Sequence, residues 1–198
     1  MSATLVQTTT VVRPFKWIAV IAGFIAIILL IVSIAGINWI EGQENDTILL
    51  QGLWKRCKTK ADVEDCTQES VLKAYHKVTA ALSIISLLIC ITVTLVATVT
   101  LISGWDAQKK RKLYFISGIG MVTALILELM GLVVFIPSAK AELPLDAAID
   151  KWWYGWAFGV AWGSIILMLG SAVLLLIKQE SQELSHEEKV YYTNETAA

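Results

Sequence analysis

WIEGQENDTILLQGLWKRCKTKADVEDC, residues 39–66, is a polar stretch that joins two long apolar blocks and carries two of the three cysteines in the chain. Cys57 and Cys66 are separated by eight residues, and the nearest histidine is His76 at the far end of the loop. Metal ligands and free reactive thiols are both open to such a pair. A disulfide closing a hairpin fits the spacing and the absence of companions better, and it requires an oxidising compartment. In the chain-entropy model a loop of this size is worth about 2–3 kcal/mol. The strand formers of TILLQGLW (47–54) and a second extended piece near Cys66 predict a twisted hairpin, and from about Thr67 the pattern turns helical. Asn45-Asp46-Thr47 is a glycosylation sequon in the same loop, so Asn45 is a candidate acceptor.

Outward from this loop the chain is apolar in blocks. With 56% hydrophobic and only 17% charged residues, it has too little polar surface to cover a soluble core of its length. The blocks run from about Trp17 to Ile40, Val78 to Ser103, Leu113 to Ile136 and Trp152 to Ile177. Roughly 24 residues of helix span about 36 Å, enough for a hydrocarbon core of about 30 Å. Helices satisfy their own backbones there, whereas membrane strands would be about half as long and alternate in polarity. The first block is too long for a cleaved signal peptide and lacks a clear small-residue cleavage site, so it reads as a retained anchor.

Four spans put both ends on one side. The link 104–112 holds Lys109, Lys110, Arg111 and Lys112 against one acid, Asp106. Short basic links stay in the cytoplasm. The loop from Glu41 to Lys77 holds six bases, but it is long and mixes them with seven acids. The expected layout is a cytoplasmic N-terminus (1–16), spans at 17–40, 78–103, 113–136 and 152–177, extracellular loops at 41–77 and 137–151, a cytoplasmic link at 104–112 and a cytoplasmic tail at 178–198. A net charge of −1 argues against nucleic acid as a partner.

Trp39, Gly52-Leu53-Trp54, Cys57 and Cys66 together reproduce a W…GLW…C…C pattern, and with the four-span layout the whole chain resembles the claudin, peripheral-myelin-protein and epithelial-membrane-protein superfamily. The first loop is shorter than in typical claudins. The final Glu195-Thr196-Ala197-Ala198 does not offer the large hydrophobic last side chain that PDZ pockets take. WYGWAFGVAWGSIIL in the fourth span is closer to the non-claudin branch, that of p53-effector-related and adherens-junction-associated four-span proteins. The resemblance implies an all-α membrane protein: a left-handed four-helix bundle with a small disulfide-tied antiparallel sheet in the first loop. It also implies that Trp54 wedges between that sheet and the helix tops. The implied roles are junction organisation and adhesion in epithelia by lateral association, at the lateral plasma membrane, as a homo- or hetero-oligomer with other junctional proteins. A paracellular channel or barrier and an auxiliary subunit of an ion channel are the alternatives it carries.

Other residues have plainer readings. Gly155, Gly159 and Gly163 recur every four residues and predict a smooth groove on the fourth span, packed within the bundle or, alternatively, against a second protomer. Glu128 is the one acid inside a predicted span. It reads as a protonated or hydrogen-bonded tie to another helix, with Ser33 or Asn38 as candidate partners, rather than as an ion or proton site. Trp17, Trp39, Trp105 and the Trp152–Trp156 cluster fit the membrane borders. Cys90, inside the second span, reads as a small packing residue. There is no phosphate loop, nucleophile elbow or HExxH pattern, so no enzyme activity, cofactor or metal is expected.

Overall fold

The computed structural model describes residues 15–44, 47–60, 63–68, 74–142 and 151–177. The sequon residues Asn45 and Asp46 lie outside the described residues. In chain order the elements are α1 (Phe15–Ala35), β1 (Ile40–Glu44), β2 (Thr47–Gln51), β3 (Lys55–Lys60), β4 (Val63–Gln68), α2 (Ala74–Ile102), α3 (Ala107–Glu142), β5 (Lys151–Tyr154) and α4 (Trp156–Leu176). Four helices among the described residues are long and apolar enough to cross a membrane.

Small side chains fill much of the helix contacts, most completely on α2, while many large apolar ones turn outward. The buried face of α2 is His76, Thr79, Ala80, Ser83, Ser86, Cys90, Thr94, Ala97 and Thr100. Ile28, Leu88, Ile116, Val133 and Ile166 are exposed. This is the pattern a lipid surround selects: lipid solvates the large apolar groups, and small residues let helix backbones approach closely. α2 packs most extensively on α3, and α1 on α4. The interface between α2 and α3 is a ladder of small polar contacts. Thr79 Oγ1 donates to Gly131 O (3.2 Å), Ser83 Oγ to Glu128 Oε1 (3.1 Å) and Ser86 Oγ to Ala124 O (2.8 Å), and Cys90 Sγ lies 3.8 Å from Met121 Sδ. Steps of four, three and four up α2 meet steps of three, four and three down α3, as antiparallel helices require.

The α1–α4 pair is pinned near both ends by Ser33 Oγ donating to Ala157 O (2.9 Å) and Ser171 Oγ donating to Ala19 O (2.9 Å). Lys16 Nζ donates to the carbonyls of Leu174, Leu175 and Ile177 at 2.8–3.1 Å, capping the end of α4. The last-turn carbonyls of a helix lack internal partners, and a cation is favoured there.

The helices depart from the expected spans. α2 starts at Ala74, and α3 covers 107–142 rather than 113–136, because helical backbone continues through polar turns beyond the apolar block. The largest correction is at the fourth span. Trp152, Trp153 and Tyr154 do not open a helix but form β5, and α4 begins at Trp156. β5 completes a five-stranded antiparallel sheet of order β4-β3-β2-β1-β5, with Ile40 opposite Tyr154 and Gly42 opposite Trp152. Both connections at that end of the bundle therefore contribute to one sheet.

Candidate functional site

The distinctive part of the molecule is the junction where this sheet sits on the helix ends. α1 stops at Ala35, and its last carbonyls need partners. Two tryptophans supply them. The Trp39 indole Nε1 donates to Ser33 O (2.9 Å) and the Trp54 indole Nε1 to Ile34 O (2.8 Å). Trp39 is 0% exposed, packed edge-on against Phe135 (4.9 Å between centroids) and Phe158 (6.0 Å). Its backbone joins three elements: Trp39 N donates to Gln51 O (3.0 Å), and Gly155 N donates to Trp39 O (3.0 Å). Trp54 is 42% exposed, so it lies over the end of α1 by its N–H rather than wedging fully beneath the sheet.

Each residue of Gly52-Leu53-Trp54 has a separate task. A Cβ on Gly52 would lie 2.8 Å from both Gly36 O and Ile37 Cα, so only glycine lets the chain cross the α1–β1 link there. Leu53 is buried in the core with Trp39, Ile40, Phe135 and Phe158. Cys57 and Cys66 face each other directly in the β3–β4 register and form a disulfide, with Cys57 buried and Cys66 exposed. Replacing both by serine is expected to cost about 2–3 kcal/mol, in the loop-entropy model. The check is the urea midpoint of non-reduced wild type against the variant in the same detergent. Loss of the difference when wild type is reduced assigns it to the bond.

A buried polar relay ties the sheet to α2. Arg56 Nε and Nη2 donate to Gln51 Oε1 (3.1 and 2.7 Å). Arginine is a donor only, so the Gln51 amide nitrogen is turned toward His76 Nε2 at 2.6 Å, which accepts. His76 and Gln51 are both buried. The Glu41 carboxylate plays the same part at the other side, accepting from Asn38 Nδ2 (2.8 Å) and from Trp153 Nε1 (2.6 Å), which holds β5 to the start of β1.

Glu128 is 1% exposed, and its partner is Ser83 of α2. The expected partners are engaged elsewhere: Ser33 of α1 bonds Ala157 O, and Asn38, which lies beyond the end of α1, bonds Glu41. Sequence reasoning missed the right helix, although Thr79, Ser83, Ser86 and Cys90 at helical spacing were a legible polar stripe. Ionised, such a carboxylate would cost several kcal/mol in hydrocarbon. Glu128→Gln keeps an acceptor for Ser83 in the same volume. It is expected to change stability by no more than about 1 kcal/mol, read as the thermal midpoint in detergent. A much larger loss would show that the acid itself is needed.

The three glycines predicted to share a groove do not. Gly155 precedes α4, where a Cβ would clash with the Asn38 backbone. Gly163 meets only Leu29 Cδ1, at an ordinary 3.6 Å, and Gly159 has nothing within 4 Å of its would-be Cβ. The reading of one packed intramolecular groove is therefore corrected: Gly155 is a close-approach residue and Gly159 opens to the outside of the bundle. Among the described residues no three His, Cys, Asp or Glu side chains group as a metal site.

Two comparisons bear on this architecture. The family model described as "PMP-22/EMP/MP20/Claudin family" matches residues 16–175, a span that includes every element above except the first residue of α1 and the last of α4. A zebrafish (Danio rerio) protein named "p53 apoptosis effector related to PMP-22" is 31% identical over 180 residues, covering 89% of this chain and 91% of its own length. With four membrane-spanning helices, the antiparallel sheet and the Cys57–Cys66 bridge in place, the chain belongs to the PMP-22/EMP/MP20/Claudin family, on its non-claudin side.

Proposed function

We propose that this multi-pass membrane protein organises cell–cell junctions by lateral association in the plasma membrane, with the sheet on the extracellular side. Family membership supports a junction-related structural role rather than an enzymatic one. The observation that carries the finer reading is the five-stranded sheet itself. It is drawn from both loops, seated on the bundle through Trp39, and presents exposed Ile48 and Trp153 beyond the lipid-facing helices. A rigid platform with apolar groups on its surface suits contact with other membrane proteins at the same border. Its orientation rests on the disulfide at one end of the bundle and the basic link Lys109–Lys112 at the other.

Association is favoured over conduction by the register of β3 and β4. Lys58 stands opposite Asp65 and Thr59 opposite Glu64, so these strands do not offer a run of one charge sign to a pore. Imaging of the tagged protein in polarised epithelial cells tests the proposal. Concentration at lateral contacts is expected, with transepithelial ion selectivity unchanged on expression. Uniform or internal staining contradicts it, and a new ion-selective conductance would favour the channel reading.

A further inference from the structure

We propose that Arg111 and Lys112, at the start of α3, form a binding surface for the phosphate headgroups of anionic lipid in the cytoplasmic leaflet. Four consecutive bases, Lys109 to Lys112, occupy the opening turns of α3, and the first turn holds no acid. A helix N-terminus already carries partial positive charge, so four cations there oppose the helix rather than support it. Among the described residues no ion pair offsets them. Such a run immediately cytoplasmic of a span is favoured by an anionic leaflet.

The structure divides the four. Lys109 is exposed, but its Nζ is held 4.4 Å over the Trp105 ring, which directs its charge to that indole. Lys110 is half-buried, whereas Arg111 and Lys112 are exposed. One helical turn further on, Phe115 and Ile116 are 55% and 61% exposed and begin the lipid-facing side of α3. Residues four apart share a face, so Arg111 stands above Phe115 and Lys112 above Ile116, at the level where apolar surface ends. That placement favours a lipid headgroup over the other anionic candidate, the tail 178–198, whose five acids lie outside the described residues. The inference is independent of the junction role and requires only that the α2–α3 link face the cytoplasm.

The test is native mass spectrometry of the full chain in detergent, titrated with phosphatidylserine and, separately, phosphatidylcholine. Each exposed charge is worth roughly fivefold in affinity. Arg111→Gln/Lys112→Gln is therefore expected to weaken phosphatidylserine binding about 25-fold, and Lys109→Gln by less than about fivefold, since Trp105 competes for that cation. The charge-conserving Arg111→Lys/Lys112→Arg should bind like wild type, which separates lost charge from lost fold. Binding unchanged in the double glutamine variant, or weakened as much by Lys58→Gln in the sheet, overturns the proposal. Binding that emerges only in Glu187→Gln/Glu188→Gln assigns the bases to the tail and overturns it too. The detergent measurement is blind to membrane orientation and to junctions, so its outcome does not depend on the proposed function.

Discussion

Trp39→Ala is expected to be the most damaging single substitution in the chain, lowering stability by about 3–5 kcal/mol. The side chain is fully buried between Phe135 and Phe158, so its removal leaves a cavity where sheet and bundle meet. It also takes the indole N–H from Ser33 O, at the end of α1. Ser33 O keeps its longer bond from Gly36 N (3.2 Å), so losing the indole donor adds only about 0.5–1.5 kcal/mol. Total stabilities of about 5–15 kcal/mol leave little after such a loss. The checks are the thermal midpoint of purified protein in detergent and the fraction reaching the cell surface. Trp17→Ala is the control: Trp17 is exposed on α1 and serves no such junction, so it should stay within about 0.5 kcal/mol. Equal effects from the two would mean that Trp39 is only a border aromatic.

Gly155→Ala is expected to be nearly as severe, although it adds a single methyl. The new Cβ would fall on Asn38 O and lie 2.8 Å from Asn38 C. These are backbone atoms. Asn38 O accepts from Ala157 N (3.1 Å), and the neighbouring Trp39 O accepts from Gly155 N (3.0 Å), so the strand link cannot retreat without breaking the β1–α4 connection. Overpacking of this kind costs about 1–3 kcal/mol where side chains yield, and more where only backbone can move. The backbone at Gly155 is extended, with φ −81°, so the penalty is contact and not conformation. Gly159→Ala has open space around it and improves helix propensity, by up to about 1 kcal/mol. Thermal midpoints of the two variants should therefore move apart. A tolerated Gly155→Ala would show that the α1–β1 link and α4 do not meet as described.

The contrast between these glycines shows where sequence stops informing. A spacing of four places Gly155, Gly159 and Gly163 on one helix face only if all three are helical, and Gly155 is not. The same misreading hid β5. Trp and Tyr favour both strands and membrane borders, so Lys151–Tyr154 read as an aromatic belt at the head of a longer helix. Its strand identity comes from pairing with Ile40–Gln43, more than a hundred residues away, which local pattern does not encode. The four spans were legible because lipid imposes length and apolarity on each segment separately. Trp39, Gly52 and Leu53 stood out through the combined motif, but their tasks, capping α1, permitting a backbone crossing and filling the core, required coordinates. Glu128 was conspicuous as a lone intramembrane acid, while its partner depended on which helices are neighbours.

The most direct test labels thiols on intact cells with a maleimide that does not cross membranes. Untreated cells should yield no label at Cys57 or Cys66, before or after permeabilisation. A brief impermeant reductant should then expose Cys66 to the reagent from outside, leaving buried Cys90 unmodified. Reaction of Cys57 and Cys66 without reductant, seen only once cells are opened, would place the sheet in the cytosol with its sulfurs apart and contradict the account.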